Sequence, residues 1–122
     1  MVLCAVDDLF FSVKIRTAAK TLGTEVYFER APDQVLEAVR AKGPRLVIFD
    51  LDSVKMRPIE AIAAMKADPA LRDVPTMGFV SHVHADIIAA ARAAGIGQVL
   101  ARSAFVDQLG SILAPSSNTS AT

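Results

Sequence analysis

Short apolar runs alternate along this chain with stretches whose apolar positions recur every three or four residues. Val2–Val6 is an apolar run ended by Asp7 and Asp8. From Phe10 to Leu22, the positions Phe11, Ile15, Ala18 and Leu22 predict a helix, and Gly23 falls where a helix-ending glycine belongs. Glu25–Glu29 is β-rich. Pro32 then opens a second predicted helix, with Val35, Leu36 and Val39 inward, which closes near Lys42-Gly43-Pro44. Leu46–Phe49 is a continuous apolar strand running into Asp50. Pro58 starts a third helix that ends before Pro69. Thr76–Val80 is apolar again, and the alanine-rich stretch Ala85–Ala94 stops at Gly95. Gln98–Ala101 predicts a short strand, and Phe105, Leu109 and Ile112 line one last helix. Residues 1–113 therefore form one domain, and 114–122 (APSSNTSAT) reads as a flexible polar tail.

Five strand–helix pairs in strict alternation predict an α/β protein. Strands apolar on both faces imply a parallel sheet covered by helices on both sides. Right-handed crossovers make it doubly wound. Sites in such sheets lie at the carboxyl ends of the strands, where strand order reverses. That selects Asp7, Asp8, Asp50, Asp52, Ser81, His82, Arg102 and Ser103.

Composition narrows the choice. The 122 residues suffice for one domain, and 52% hydrophobic content excludes a disordered chain. Thirteen basic residues balance thirteen acidic ones, which excludes a general electrostatic hold on nucleic acid or an anionic membrane. The lone Cys4 excludes a disulfide framework and a cysteine zinc site, and within a strand it reads as an inert small hydrophobe. The start MVLCAVDD is unlike a secretory or transit signal, and no apolar run approaches the roughly 20 residues of a membrane span. The expectation is a cytoplasmic protein.

With strands one and three as neighbours, Asp7, Asp8 and Asp50 are expected to converge within a few ångströms. Uncompensated, they raise at least one pKa. A hard divalent cation relieves this, and Mg²⁺ takes one or two carboxylates, a carbonyl and several waters. Arg102 offers a matching cation. Acids, a metal and a cation around one carboxylate make a phosphoryl-acceptor site. The competing reading makes Asp7-Asp8 a polar strand end and helix cap, Asp50 a relic carboxylate and Arg102 its structural partner.

Over nearly its whole length the chain resembles the receiver domain of two-component response regulators. The resemblance rests on VLCAVDD, KIRTAAKTLG, RLVIFD, VPTMGFVSH and ARAAGIGQVLAR in this order. It implies a flavodoxin-like (βα)5 fold with strand order 2-1-3-4-5. It further implies Asp50 as phospho-acceptor, with Mg²⁺ on Asp7, Asp8, Asp50 and the backbone carbonyl of Asp52. The implied partner is a histidine kinase, a phosphotransfer protein or another signalling protein, and a homodimer would use the fourth helix, fifth strand and fifth helix. Phe10, if exposed, joins the docking patch such domains show.

The departures lie at the phosphoryl-stabilising and switch positions. Val80 stands where receivers carry Thr or Ser, and Ser81 replaces it only if the strand bulges. Arg102 stands for Lys, Ser103 for the Pro after it, Val54 for a Pro, and Val99 for the switching aromatic. Hence a second reading, a pseudo-receiver that binds proteins without regulated phosphorylation. A third comes from VIFDLDSV, which resembles the first motif of haloacid-dehalogenase-type phosphatases; the 49 residues before its first Asp, Asp50, and the missing distal acids oppose it. His82 and His84 read as solvated or capping residues rather than metal ligands.

Overall fold

The computed structural model describes residues 1–115; most of the expected tail lies outside them. Five strands form one parallel sheet in the order β2-β1-β3-β4-β5: β1 Val2–Ala5, β2 Val26–Phe28, β3 Leu46–Asp50, β4 Thr76–Val80 and β5 Gln98–Ala101. The helices are α1 Leu9–Leu22, α2 Val35–Lys42, α3 Pro58–Ala67, α4 Ala85–Ala94, α5 Arg102–Asp107 and α6 Leu109–Leu113. This is the doubly wound sandwich and the strand order that the sequence implied.

Both sheet faces are dry because β1, β3 and β4 are apolar at successive positions, so alternate side chains feed opposite cores. Leu3, Val47 and Phe49 point to one side, against Val39 of α2 and Ile62 and Met65 of α3. Cys4, Ile48 and Phe79 point to the other, against Phe11 and Ile15 of α1, Phe105 of α5 and Leu109 of α6. Burial pushes the Cys4 thiol up to about 12, as an inert core position requires.

Local chemistry sets the helix ends. Asp8 caps α1 by accepting the Phe11 N–H, and Gly23 closes it in the left-handed conformation at φ 71°. Pro58 begins α3, and the residue before it, Arg57, adopts a positive φ of 47°. Gly78 in β4 is there for space: a Cβ would meet the Leu51 side chain at 2.7 Å. Leu51 therefore folds flat over the sheet directly after Asp50, fixing the start of the loop that carries Asp52.

Two expectations need correction. Pro32–Gln34 is a tight 3₁₀ turn, and the second helix proper begins at Val35. The last helix is two helices, interrupted at Gln108, whose ψ of 4° leaves the helical region. The apolar period of Phe105, Leu109 and Ile112 runs across that break, which is why periodicity does not reveal it.

Candidate functional site

Ala5 pairs with Phe49, so the carboxyl ends of β1 and β3 lie side by side. The residues beyond them line an open cleft of about 370 Å³: Asp7, Asp8, Asp50, Asp52, Ser53, Val54, Lys55 and Arg102. At its base is Asp50, only 3% exposed. One carboxylate oxygen accepts the Asp52 N–H at 3.0 Å. Removal from water pushes the Asp50 pKa up to about 6. The Asp52 N–H and the Arg102 guanidinium oppose the rise, while the charges of Asp52 and Asp8 add to it.

The other two acids of the expected cluster each have a local occupation. Asp7 accepts the Ser53 hydroxyl at 2.9 Å, and that hydroxyl in turn accepts the Met56 N–H at 3.2 Å. Asp8 accepts the Phe11 N–H at 3.2 Å. Asp7, Asp8 and Asp50 share the cleft. Yet among the described residues no group of three or more Asp, Glu, His or Cys side chains is gathered closely enough to hold a metal ion. The donors present are hard oxygens, and the buried Asp50 carboxylate is a charge that a cation would stabilise. The chemistry of the site therefore suits a hard divalent cation that keeps much of its water shell and needs few protein ligands.

The opposite wall is built around Asp52. One of its carboxylate oxygens accepts the Ser81 N–H at 2.9 Å and lies 3.1 Å from Arg102 Nε. The other lies 2.8 Å from His84 Nδ1. Arg102 also reaches Asp50, with Nη2 at 3.7 Å. Beneath the guanidinium runs a column of rings: Phe11 and Phe79 are stacked at 4.8 Å between centroids, Phe79 and Phe105 at 4.5 Å. The guanidinium carbon sits 4.6 Å from the Phe11 centroid and 5.7 Å from that of Phe79. A planar guanidinium can stack on such rings while its fork reaches carboxylates, whereas an ammonium meets them as a point charge.

Val80 is fully buried in the core with Leu3 and Phe49. Pairing of β4 with β5 stays in regular register through Val80 and Ala101, so no bulge moves Ser81 into Val80's place. Ser81 contributes its backbone N–H instead. Val99 is half-buried against the same core, and Val54 is 91% exposed. Sequence reasoning missed the side chain of Asp52, Ser53 and the ring column. It also missed His84 as the partner of Asp52. The available signal was the two-residue spacing of Asp50 and Asp52.

No family model matches the chain, and no curated protein matches it. Solved structures do. The chain resembles a response regulator from Hahella chejuensis at TM-score 0.80 and 21% identity, covering 92% of this chain and 90% of that one. It resembles the phosphorylated cyanobacterial phytochrome response regulator RcpA at TM-score 0.76 and 23% identity, covering 92% and 86%. For the Mn²⁺-bound response regulator Rcp1 the values are 0.74 and 18%, covering 91% and 89%. These likenesses establish a receiver-domain fold.

Proposed function

From that fold, we propose that the protein is an atypical receiver in two-component phosphorelay signalling, with Asp50 as phospho-acceptor and output through protein–protein contact. The observation that carries this reading is Asp50 itself: a nearly fully buried carboxylate ending β3, at the base of a cleft it shares with Asp7, Asp8 and Arg102. In the transfer, an Asp50 oxygen attacks phosphorus and the P–N bond of a phosphohistidine donor breaks, the electron pair leaving with the imidazole. The resulting acyl phosphate adds charge to the cleft. Arg102, poised at 3.7 Å, supplies positive charge beside it. Mg²⁺ bound through Asp50, Asp7 or Asp8 and the Asp52 carbonyl would neutralise further phosphoryl charge.

The partner we infer is a histidine kinase or phosphotransfer protein. Leu9, Phe10 and Val13, in the first two turns of α1 after Asp8, are 67%, 66% and 57% exposed and offer it an apolar surface. Ile87, Ile88, Val99 and Leu100 are half-buried on α4 and β5, the surface we assign to a homodimer. The described residues contain no helix long and apolar enough to cross a membrane, and we place the protein in the cytoplasm, off nucleic acid.

A second reading is the pseudo-receiver, favoured by Val80, Val99 and the standing Arg102–Asp50 contact, which already sets a positive charge beside Asp50. The phosphatase reading gains nothing: Asp52, its general acid/base, is engaged by Ser81, His84 and Arg102. The test is an amide NMR titration with Mg²⁺ and then beryllofluoride, an acyl-phosphate mimic, with Asp50→Asn as control. Shifts that require Asp50 support the acceptor. A response to Mg²⁺ alone, or to neither, supports the pseudo-receiver.

A further inference from the structure

With Val80 lacking a hydroxyl and Val99 lacking a ring, neither residue can report the charge state of Asp50 to the rest of the fold. Asp52 is in a position to do so. We propose that Asp52 is a positioning residue that couples the charge on Asp50 to the β4–α4 turn, through an Arg102 guanidinium shared between the two carboxylates.

Three contacts carry the proposal. Arg102 divides its guanidinium, Nη2 at 3.7 Å from Asp50 Oδ1 and Nε at 3.1 Å from Asp52 Oδ2. The buried Nε makes no aligned hydrogen bond, so its hold on Asp52 is Coulombic and can be re-aimed by a stronger charge nearby. Asp52 Oδ2 also accepts the N–H of Ser81, the residue directly after β4. Asp52 Oδ1 meets Nδ1 of His84, whose carbonyl accepts the N–H groups of Ile87 and Ile88 in the first turn of α4. One carboxylate thus joins the Asp50 loop, the end of β4, the start of α4 and the β5–α5 junction.

Charge added at Asp50 draws the guanidinium toward it and away from Asp52. Asp52 is then left to Ser81 and His84, and the first turn of α4 readjusts. Charge removed from Asp50 sends the guanidinium wholly to Asp52, with the opposite effect. The biological use of this coupling rests on the acceptor reading above; the coupling itself is a property of the resting chain.

The experiment reads the amide signals of Ser81 and Ile87 and the ring nitrogens of His84 in Asp50→Asn. The same substitution is then made in the Asp52→Asn and Arg102→Gln backgrounds. The expected result is a shift at all three residues in the otherwise wild-type chain that falls at least about threefold in either background. A mere packing role gives additive shifts of equal size in every background and overturns the proposal. Should Arg102→Gln fail to fold, Arg102→Lys serves: a point charge pairs with one carboxylate at a time, and the shift again falls. Beryllofluoride separates the two readings. Shifts at Leu51 without any at Ile87 keep the acceptor and overturn the relay. No beryllofluoride response, with the non-additive shifts present, overturns the acceptor and keeps the relay.

Discussion

The two ends of the sheet are finished differently. The amino end is closed mostly by backbone: the Val2 N–H reaches Glu25, Arg45 reaches Met1 and Val47 reaches Pro75, each a backbone bond of about 3 Å. Over them α6 is pinned by the Arg45 guanidinium on the carbonyls of Ile112 and Ala114, and by the Thr24 hydroxyl on Leu113. The carboxyl end has backbone bonds too, from Glu29 to Cys4 and from Leu51 to Phe79, but its cleft is held together by side chains. Its carboxylates and guanidinium lie in an open cleft, and among the described residues the large exposed hydrophobics Leu9, Phe10, Val13, Val54 and Val83 all lie in segments that follow the carboxyl ends of β1, β3 and β4. Backbone bonds tolerate most substitutions, whereas a side-chain network changes with each one. The first end preserves the fold, and the second is free to carry specific chemistry.

The strongest perturbation of the carboxyl end removes its floor. Phe79→Ala deletes the central ring of the column under Arg102 and opens a core cavity, with an expected loss of about 3–5 kcal/mol in urea unfolding. A retained stability within about 1 kcal/mol would show that the rings collapse onto one another.

Next in size is Asp50→Asn, which should stabilise. The folded-state pKa, about 6, lies above the ordinary 3.8, so the folded chain binds this proton more tightly than the unfolded one. Stability from this group falls as pH rises through that window, and above it the ionised buried carboxylate costs on the order of 3 kcal/mol. Without divalent cations, Asp50→Asn is expected to gain about 1–3 kcal/mol at about pH 8 and nothing below about pH 4. Unfolding curves at the two pH values decide it; an equal gain at both removes burial of charge as the cause.

At the amino end, Arg45→Met keeps the apolar stem and drops the carbonyl contacts. The expected loss is about 1–2 kcal/mol, with hydrogen exchange rising in α6 before the sheet. Phe10→Ala comes last: an exposed ring over which Lys14 sits changes stability by less than about 0.5 kcal/mol. Its readout is binding to the histidine kinase or phosphotransfer protein proposed above as partner, which should weaken severalfold while the melting temperature stays put.

The contrast between the ends also explains what was legible in the sequence. Strands buried on both faces announce themselves as apolar runs, and Thr76–Val80, Ala85–Ala94 and Gln98–Ala101 fall where the pattern puts them. Asp50 was legible because a charge that ends such a run must sit at a strand terminus. The role of the Asp52 side chain was not. Two residues past the strand, direction is set by the loop: Leu51 lying over Gly78, the Ser53 N–H bonding the Asp50 carbonyl, and the Asp52 N–H bonding the Asp50 carboxylate. His84 pairs with Asp52 across 32 positions, a separation no local pattern encodes.

Strand β5 ends at Ala101 and helix α5 begins at Arg102, with no residue between them. The backbone of Arg102 is thereby locked into a strand–helix joint that has no hinge. Its guanidinium passes between the carboxylates by rotating about side-chain bonds, a faster class of motion than the collective movement of a backbone segment. The two arrangements interconvert far faster than their resonance frequencies differ. At any fixed charge on Asp50, each nucleus around the cleft would then give one averaged signal rather than one for each place of the guanidinium.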